Sequence, residues 1–285
     1  MSAEPDPGLE HPWQPRLVAL DIDGTLLRWI HGEGSTIEQV SDRVRDAVRR
    51  AQDAGAHVVL SSGRSPDGMT GVADLLGLHR DGAEPLWIVA SNGAVVFRYP
   101  PMDVVVEETF DAGPAVRAIV ELHPEALVAV EERGVGYRTN RPFPPGELSG
   151  DLIPTSVEEM VADPVSRVII RDPEATVEDF VRLGESLGLH GTDYVVGWTA
   201  WLDLCPPGVS KASGLDHVAA ALGLTSADAL AMGDGRNDLE MLRWAARGVA
   251  MGQSVDVVRE AADHVTDSVD DDGAAVELER WFGRG

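Results

Sequence analysis

The sequence predicts an α/β protein with a doubly wound, Rossmann-like parallel sheet into which a smaller α+β domain is inserted. Two observations carry this prediction. Short, unbroken apolar segments near both ends of the chain alternate with amphipathic segments of helical period, which is typical of strands buried on both faces by helices. Between residues 93 and 205 closely spaced strand segments mix with isolated helices, and the first pattern resumes after Pro206.

The first part of the predicted core, residues 16–92, follows a proline-rich leader, residues 1–15, that we expect to be disordered. The apolar segment that runs into Asp21 predicts the first strand, and Ser41 and Gly55 are suitable end residues for the helix that follows. The predicted elements are a strand at 17–21, a loop through Gly32 and Gly34, a helix at 41–55, a strand at 57–61, a helix at 66–76, and a strand at 86–90 that ends in the turn Ser91-Asn92-Gly93.

The inserted residues, 93–205, are predicted to form a cap domain, and residues 206–285 complete the core. In the cap we expect strands at 95–97, 104–108, 126–130, 134–138, 165–171, 194–196 and 200–205, helices at 113–123, 156–161 and 175–187, and an irregular loop at 142–146. In the second part of the core we expect helices at 210–222, 238–246, 254–262 and 272–282 and strands at 229–232, 248–251 and 264–266.

Composition and charge limit the possible functions. The 285 residues are 44% hydrophobic and 25% charged, which describes a soluble globular protein. The net charge of −25 argues against nucleic acid or an anionic membrane as a partner, but a small phosphorylated ligand could still bind in a local cationic pocket. The single cysteine, Cys205, lies in an apolar segment, so we expect a buried thiol and no disulfide. Without a signal pattern or a long apolar segment, we expect a cytoplasmic protein.

Polar residues stand where predicted strands end or where the next helix begins. Because the carboxyl ends of parallel strands meet at one edge of a sheet, residues far apart in the chain can converge there. These residues are Asp21 and Asp23; Ser62 and Arg64; Lys211; and Asp234, Asn237 and Asp238. Each group alone could be an ordinary turn or cap, but four such coincidences at comparable places favour one functional site.

The residue types in these groups indicate phosphoryl chemistry. Several carboxylates with oxygen-only neighbours favour Mg²⁺ over zinc, and a serine hydroxyl, a lysine ammonium and helix-start amides bind phosphate. A carboxylate beside a bound phosphate can attack phosphorus, and a second carboxylate can act as acid and then as base. Lys211 is the only lysine among 23 basic residues, which suggests that this position needs a compact ammonium.

These motifs resemble those of the haloacid dehalogenase superfamily phosphatases, in particular the Cof-type branch with a large α/β cap. The similar segments are Asp21-Ile-Asp-Gly-Thr25, Ser62-Gly-Arg64, Gly208-Val-Ser-Lys211, Gly233-Asp-Gly-Arg-Asn-Asp238, Gly248-Val-Ala-Met-Gly252 and Asp272-Gly273. The resemblance covers the core on both sides of the insert and fits the position of the insert. Serine replaces the usual threonine before Gly63-Arg64 but keeps the hydroxyl, and Gln253 stands where asparagine is usual.

The resemblance implies a role for each motif residue. Asp21 would be the nucleophile and a Mg²⁺ ligand, and Asp23 would be the general acid and base and a ligand through its main-chain carbonyl. Asp234 would bind Mg²⁺, with Asp238 supporting it. The residues implied to hold the phosphoryl group are Ser62, Gly63, Arg64, Lys211 and Asn237, and Ser61 is a competitor for the role of Ser62. Arg138, Arg141, Trp198 and Trp201 of the cap are weaker candidates for substrate contacts, and we assign them no role.

The function that these residues imply is Mg²⁺-dependent hydrolysis of small phosphomonoesters, such as sugar phosphates, through an aspartyl-phosphate. A phosphomutase would use the same residues but return the phosphoryl group to a sugar. A receiver-type signalling module also combines aspartate, Mg²⁺, a hydroxyl and lysine, but Asp23 and the long insert argue against it. A catalytically silent binding protein is disfavoured because every motif residue is retained.

Overall fold

The structure is a computed structural model that describes residues 13–32, 35–79, 84–133, 135–172, 176, 191–196 and 199–283. Its strands, in chain order, are β1 (Leu17–Leu20), β2 (Arg28–Gly32), β3 (Ser35–Gln39), β4 (His57–Ser61), β5 (Leu86–Ala90), β6 (Val95–Tyr99), β7 (Asp103–Glu107), β8 (Leu127–Glu132), β9 (Gly136–Thr139), β10 (Asp151–Pro154), β11 (Val168–Asp172), β12 (Gly191–Val196), β13 (Thr199–Leu204), β14 (Ala229–Gly233), β15 (Arg247–Ala250) and β16 (His264–Val265). Its α-helices in the same range are α1 (Asp42–Asp53), α2 (Pro66–Leu76), α3 (Gly113–Leu122), α4 (Val157–Met160), α5 (Lys211–Leu222), α6 (Leu239–Trp244), α7 (Asp256–Ala261) and α8 (Gly273–Phe282).

The larger sheet has eight strands in the order β16-β15-β14-β1-β4-β5-β6-β7. The pairs from β16 to β5 are parallel, and β6 and β7 continue the sheet in antiparallel fashion. One face of this sheet packs against α1, α2 and α8, and the other packs against α5 and α6. The doubly wound α/β fold predicted from the sequence is therefore confirmed.

The helices begin and end where their local sequence requires. Ser41 caps α1 by accepting a hydrogen bond from the Val44 amide at 3.1 Å. Val44 and Val48 lie one turn apart and are buried against the sheet together with their neighbours on that stripe. The last helix of this face, α8, packs against α1, so both ends of the chain close one layer of the core.

The second sheet has six strands in the order β10-β9-β8-β11-β13-β12 and is antiparallel except for the β9–β10 pair. One face packs against α3 and α4 through an apolar cluster that includes Val116, Val128 and Ile170. The opposite face carries a small apolar cluster around Tyr137 and Ile169. Buried polar residues also lie on this second face, and two of them contact the turn that follows β5.

Several elements differ from the sequence prediction. β6 and β7 fall in the segment that we assigned to the cap, but they pair with the larger sheet, so the second sheet begins at β8. The predicted loop through Gly32 contains the hairpin of β2 and β3, and the edge strand β10 was not predicted. The predicted helix at 175–187 and most of the leader lie outside the described residues. No helix in the described ranges is long and apolar enough to span a membrane.

Candidate active site

Three adjacent parallel strands bring the predicted site residues to one edge of the larger sheet. β1 lies between β4 and β14, with Leu20 opposite both Leu60 and Met232. The backbone amide of Asp21 donates to the Met232 carbonyl at 3.0 Å, so the pairing extends to the first aspartate. The residues that follow these three strands are therefore close together although about 200 positions separate them in the chain.

Lys211 is the first residue of α5 and is completely buried. Its Nζ donates to Asp21 Oδ1 and to Asp238 Oδ1, each at 2.6 Å. Burial alone would lower the pKa of the ammonium, but the charges of Asp21 and Asp238 outweigh it and raise that pKa, so the lysine stays cationic. The only lysine of the chain therefore joins two of the predicted motifs.

Asp238 supports the loop that carries Asp234. Its Oδ2 accepts hydrogen bonds from the backbone amides of Asp234 at 3.0 Å and Gly235 at 2.9 Å, while Oδ1 accepts from Lys211. Gly233 lies against the same carboxylate, because a Cβ there would come within 2.4 Å of its carbon. Both oxygens of Asp238 thus hold protein groups in place.

We name Lys211, Asp21, Asp234 and Asp238 the lysine cluster. Carboxylate oxygens of its three acids lie within 4.8 Å of one another. Burial and the nearby charge of Asp238 raise the pKa of Asp21 well above its ordinary value, and the same two causes raise the pKa of Asp234 to about 7. Three carboxylates around one ammonium leave an excess of negative charge, so the donor set fits a hard divalent cation such as Mg²⁺.

Asp23 lies at the side of this cluster and is one-third exposed. Its carboxylate accepts two hydrogen bonds from Arg64, from Nε at 2.8 Å and from Nη2 at 2.6 Å. The guanidinium that we predicted as a phosphate ligand therefore holds the predicted acid and base in this structure. The bidentate geometry fixes the orientation of the carboxylate.

Ser62 follows β4 and is buried at the same edge. Its Oγ accepts a hydrogen bond from the Arg64 amide at 3.2 Å. The hydroxyl of the competing residue, Ser61, is also buried, and it finds no hydrogen-bond partner within the described part of the chain. Gly63 follows Ser62 and lies against Asn92, whose Oδ1 would be 3.0 Å from an added Cβ.

Two residues that sequence reasoning did not assign to the site contact it directly. Asn92 Oδ1 accepts from Asn237 Nδ2 at 3.1 Å, and Gln253 Nε2 donates to the Gly24 carbonyl at 2.6 Å and to Asp234 Oδ2 at 3.3 Å. The signal for Asn92 was its position after β5, at the same sheet edge as Ser62. We had interpreted it only as part of a turn.

A second buried charge cluster lies on the face of the six-stranded sheet that meets the core. We name Arg167, Glu131 and Asp203 the arginine cluster. Arg167 Nη2 donates to both oxygens of Asp203 at 2.9 Å, and its Nη1 lies 3.7 Å from Glu131. Burial raises the pKa of Glu131 to about 6, although the charge of Arg167 opposes this. The acids of this cluster reach Ser91 and Asn92 of the core.

The cap candidates named from the sequence lie elsewhere or cannot be placed. Arg138 pairs with Glu132, and Arg141 pairs with Glu125 on the surface of the cap. Trp198 and the side chain of Trp201 lie outside the described residues. Among the described cap residues, strand β12 contacts residues 236–238, and the acids of the arginine cluster contact Ser91 and Asn92.

Known proteins are similar to this chain in sequence and structure over most of its length. The family described as haloacid dehalogenase-like hydrolase matches residues 18–278. A phosphoglycolate phosphatase from Natronomonas pharaonis is 30% identical over 263 residues, which cover 92% of this chain and 96% of that protein. A 5-amino-6-(5-phospho-D-ribitylamino)uracil phosphatase from Bacillus subtilis is 26% identical over 266 residues, covering 93% and 95%. Among solved structures, a phosphatase of the same superfamily from Bacteroides thetaiotaomicron is similar with a TM-score of 0.75 at 26% identity, covering 98% and 99%.

Proposed function

This chain belongs to the haloacid dehalogenase-like hydrolases, and on that premise we propose that it is a Mg²⁺-dependent phosphatase of small phosphomonoesters. The resemblance drawn from the motifs is confirmed at the level of the family and the fold. The relatives from Natronomonas pharaonis and Bacillus subtilis are named for different phosphorylated compounds, so we propose the substrate only as a class, which includes sugar phosphates.

The observation that carries the proposal is the contact of the buried Lys211 ammonium with Asp21 and Asp238. The ammonium lies 2.6 Å from the predicted nucleophile, Asp21, and holds its carboxylate in place. Its positive charge would also offset the negative charge that a bound phosphoryl group adds. Asp23, two residues further on, lies outside this ammonium contact and is partly exposed, as an acid and base that meets the leaving group should be. Two carboxylates with separate surroundings suit separate roles.

In the proposed reaction, a carboxylate oxygen of Asp21 attacks phosphorus, and the bond from phosphorus to the ester oxygen breaks. Asp23 gives its proton to the departing oxygen, which leaves as an alcohol. Asp23 then takes a proton from water, whose oxygen attacks the phosphorus of the aspartyl-phosphate. The bond from phosphorus to Asp21 breaks, inorganic phosphate leaves, and both aspartates return to their first state.

The other site residues hold the phosphoryl group in this proposal. Lys211 and the hydroxyl of Ser62 bind its oxygens, and the amide nitrogen of Asn237 donates to it. Arg64 orients Asp23 and leaves the phosphate to the other donors. Asp21, Asp234 and the main-chain carbonyl of Asp23 would hold Mg²⁺, which when bound would neutralise the excess carboxylate charge and polarise the phosphoryl oxygens. The cytoplasmic location stays a prediction.

The test is release of inorganic phosphate from a panel of phosphorylated metabolites and from p-nitrophenyl phosphate, with Mg²⁺ and with chelator. We expect Mg²⁺-dependent release, and we expect Asp21→Asn to abolish it while the folded structure, followed by circular dichroism, is kept. Appreciable turnover by Asp21→Asn would refute the assignment of the nucleophile. Transfer of phosphate to an added sugar without release into solution would favour a phosphomutase instead.

A further inference from the structure

Asn92 connects the phosphate end of the site to the second sheet. It is the middle residue of the turn after β5, is almost completely buried, and has the left-handed backbone conformation, with φ 53° and ψ 29°. Its backbone amide donates to the Ser62 carbonyl at 3.1 Å. The turn therefore sets the position of Asn92 relative to the predicted phosphate-binding serine.

Hydrogen-bond chemistry determines which way the Asn92 amide is turned. The carboxylate of Asp203 can only accept, so it must face Asn92 Nδ2, which lies 2.9 Å away. Asn92 Oδ1 is then directed to Asn237, which must present its own Nδ2 at 3.1 Å. An amide nitrogen carries two hydrogens, so the one that does not bind Asn92 has no partner among the described residues and can donate to an oxygen of the phosphoryl group.

The charge that fixes this order comes from the arginine cluster. Asp203 is fully buried in β13 and is held by three hydrogen bonds from the Arg167 guanidinium, at 2.9 to 3.2 Å. Next to this contact, Ser91 Oγ donates to both oxygens of Glu131 at 2.8 Å. Two successive core residues are thus bound by two acids of the second sheet.

We propose that Asn92 is a positioning residue that, held by Asp203, turns the amide nitrogen of Asn237 towards the phosphoryl group. The seating of the second sheet on the core is thereby coupled to the phosphate site, because the hydrogen bonds run from Arg167 through Asp203 and Asn92 to Asn237. A buried charge pair is expensive to maintain for stability alone, so a role in fixing the orientation of its neighbours is consistent with its retention. The inference rests on the proposed phosphatase function.

The first test is Asn92→Gly, which removes the amide but suits the left-handed turn, so the backbone is expected to keep its course. We expect kcat for p-nitrophenyl phosphate to fall about 10–100-fold, the range seen when the partner of a site ligand is removed. KM should change less than kcat, and the affinity for inorganic phosphate, measured by calorimetry with Mg²⁺ present, should fall. The matched control is Asp172→Asn, which should keep kcat within about twofold of the unaltered protein. Asp172 is a buried acid at the end of β11 away from Arg167, and it pairs with His123.

The second test first reverses and then restores the donor–acceptor order of the hydrogen bonds from Asp203 through Asn92 to Asn237. In Asp203→Asn, we expect Arg167 to bind the oxygen of the new amide, which leaves the amide nitrogen facing Asn92. The side chain of Asn92 then meets a donor in place of an acceptor, so its own amide must flip. Adding Asn92→Asp moves the carboxylate one step along the series, so that it accepts both from the new amide at position 203 and from Asn237 without a change in total charge. We expect the kcat of the double variant to be at least about tenfold higher than that of Asp203→Asn, whereas independent damage at the two positions would lower it further.

Asn92→Gly with the kcat and the phosphate affinity of the unaltered protein would overturn the inference, as would a double variant no more active than Asp203→Asn. If the unaltered protein bound phosphate but hydrolysed no ester, the proposed function would fail. The phosphate affinities of the unaltered protein and of Asn92→Gly would still decide whether Asn92 positions Asn237. Absence of both hydrolysis and phosphate binding would overturn both proposals.

Discussion

The lysine cluster and the arginine cluster each have one buried cation among several carboxylates, but they hold their acids differently. Lys211 contacts one oxygen of Asp21 and one of Asp238, and a compact ammonium leaves the second oxygen of Asp21 open to other partners, whereas that of Asp238 accepts from backbone amides. Arg167 instead grips both oxygens of Asp203 with a planar fork. The first arrangement suits acids that must meet a metal and a phosphoryl group, and the second suits an acid that must stay in one orientation.

The excess negative charge of the two clusters also differs. The lysine cluster has three acids for one cation, and burial together with Asp238 raises the pKa of Asp234 to about 7. The arginine cluster has two acids for one cation and adds hydrogen bonds from Ser91 and Asn92. The lysine cluster therefore needs further positive charge from outside the protein, whereas neutral donors satisfy much of the arginine cluster.

Exchanging the type of cation in the lysine cluster should have the largest effect. We expect Lys211→Arg to lower kcat for p-nitrophenyl phosphate by at least about 100-fold, since the guanidinium is too large for a fully buried position between two carboxylates. Lys211→Gln, which removes the charge at similar size, is the comparison variant. An arginine variant with the kcat of the unaltered protein would show that the shape of the cation does not matter there.

Removing the cation of the arginine cluster should act on stability first. We expect Arg167→Met to lower the free energy of unfolding by about 3–5 kcal/mol, because two buried carboxylates then lose their cation. The control is Arg117→Met in the same sheet domain, where Arg117 pairs with Glu158 on the surface and the loss should be much smaller because solvent screens the pair. Urea unfolding of the three proteins measures both values, and equal losses would mean that the buried cluster has no special energetic role.

The contrast between the clusters also explains what the sequence could predict. The acids of the lysine cluster follow short apolar strands, and the parallel arrangement of those strands places them together, so pattern and motif were sufficient for Asp21, Asp234 and Lys211. The core strands and most helices were predicted for the same reason. The antiparallel strands β6 and β7 have the alternation typical of an insert, and only the pairing of β6 with β5 and of β7 with β6 assigns them to the larger sheet.

The arginine cluster had no comparable signal. Glu131 and Asp203 lie within strands where polar residues usually face solvent, and the sequence alone does not say which face of the second sheet meets the core. Their burial follows from how the two sheets pack, which is a tertiary property. Asn92 was missed because Asn-Gly after a strand is a common turn, and its contact with Asn237 joins residues far apart in the chain.

The smallest expected effect is a pH dependence of stability that belongs to the arginine cluster. Burial raises the pKa of Glu131 from 4.5 to about 6, so the folded protein holds this proton more tightly than the unfolded chain does. The stability that the proton contributes is complete below pH 4.5 and is lost as the pH rises through about 6. The free energy of unfolding should therefore fall, by on the order of 1–2 kcal/mol, as the pH rises from 4.5 through about 6.

Glu131→Gln keeps an acceptor for Ser91 but cannot lose a proton, so it should remove this part of the slope between pH 4.5 and about 6. The measurement is urea unfolding at several pH values with saturating Mg²⁺, which keeps the acids of the lysine cluster from titrating in the same window. The hydrogen bond from Arg117 lowers the pKa of the exposed Glu158 in the same domain, so Glu158→Gln should change the pH dependence mainly below pH 4.5 and leave the slope up to about 6. If the free energy of unfolding had the same pH dependence in the unaltered protein and in Glu131→Gln, the neutral donors around Glu131 would already compensate for its burial. The excess negative charge of the two clusters would then differ more than we infer.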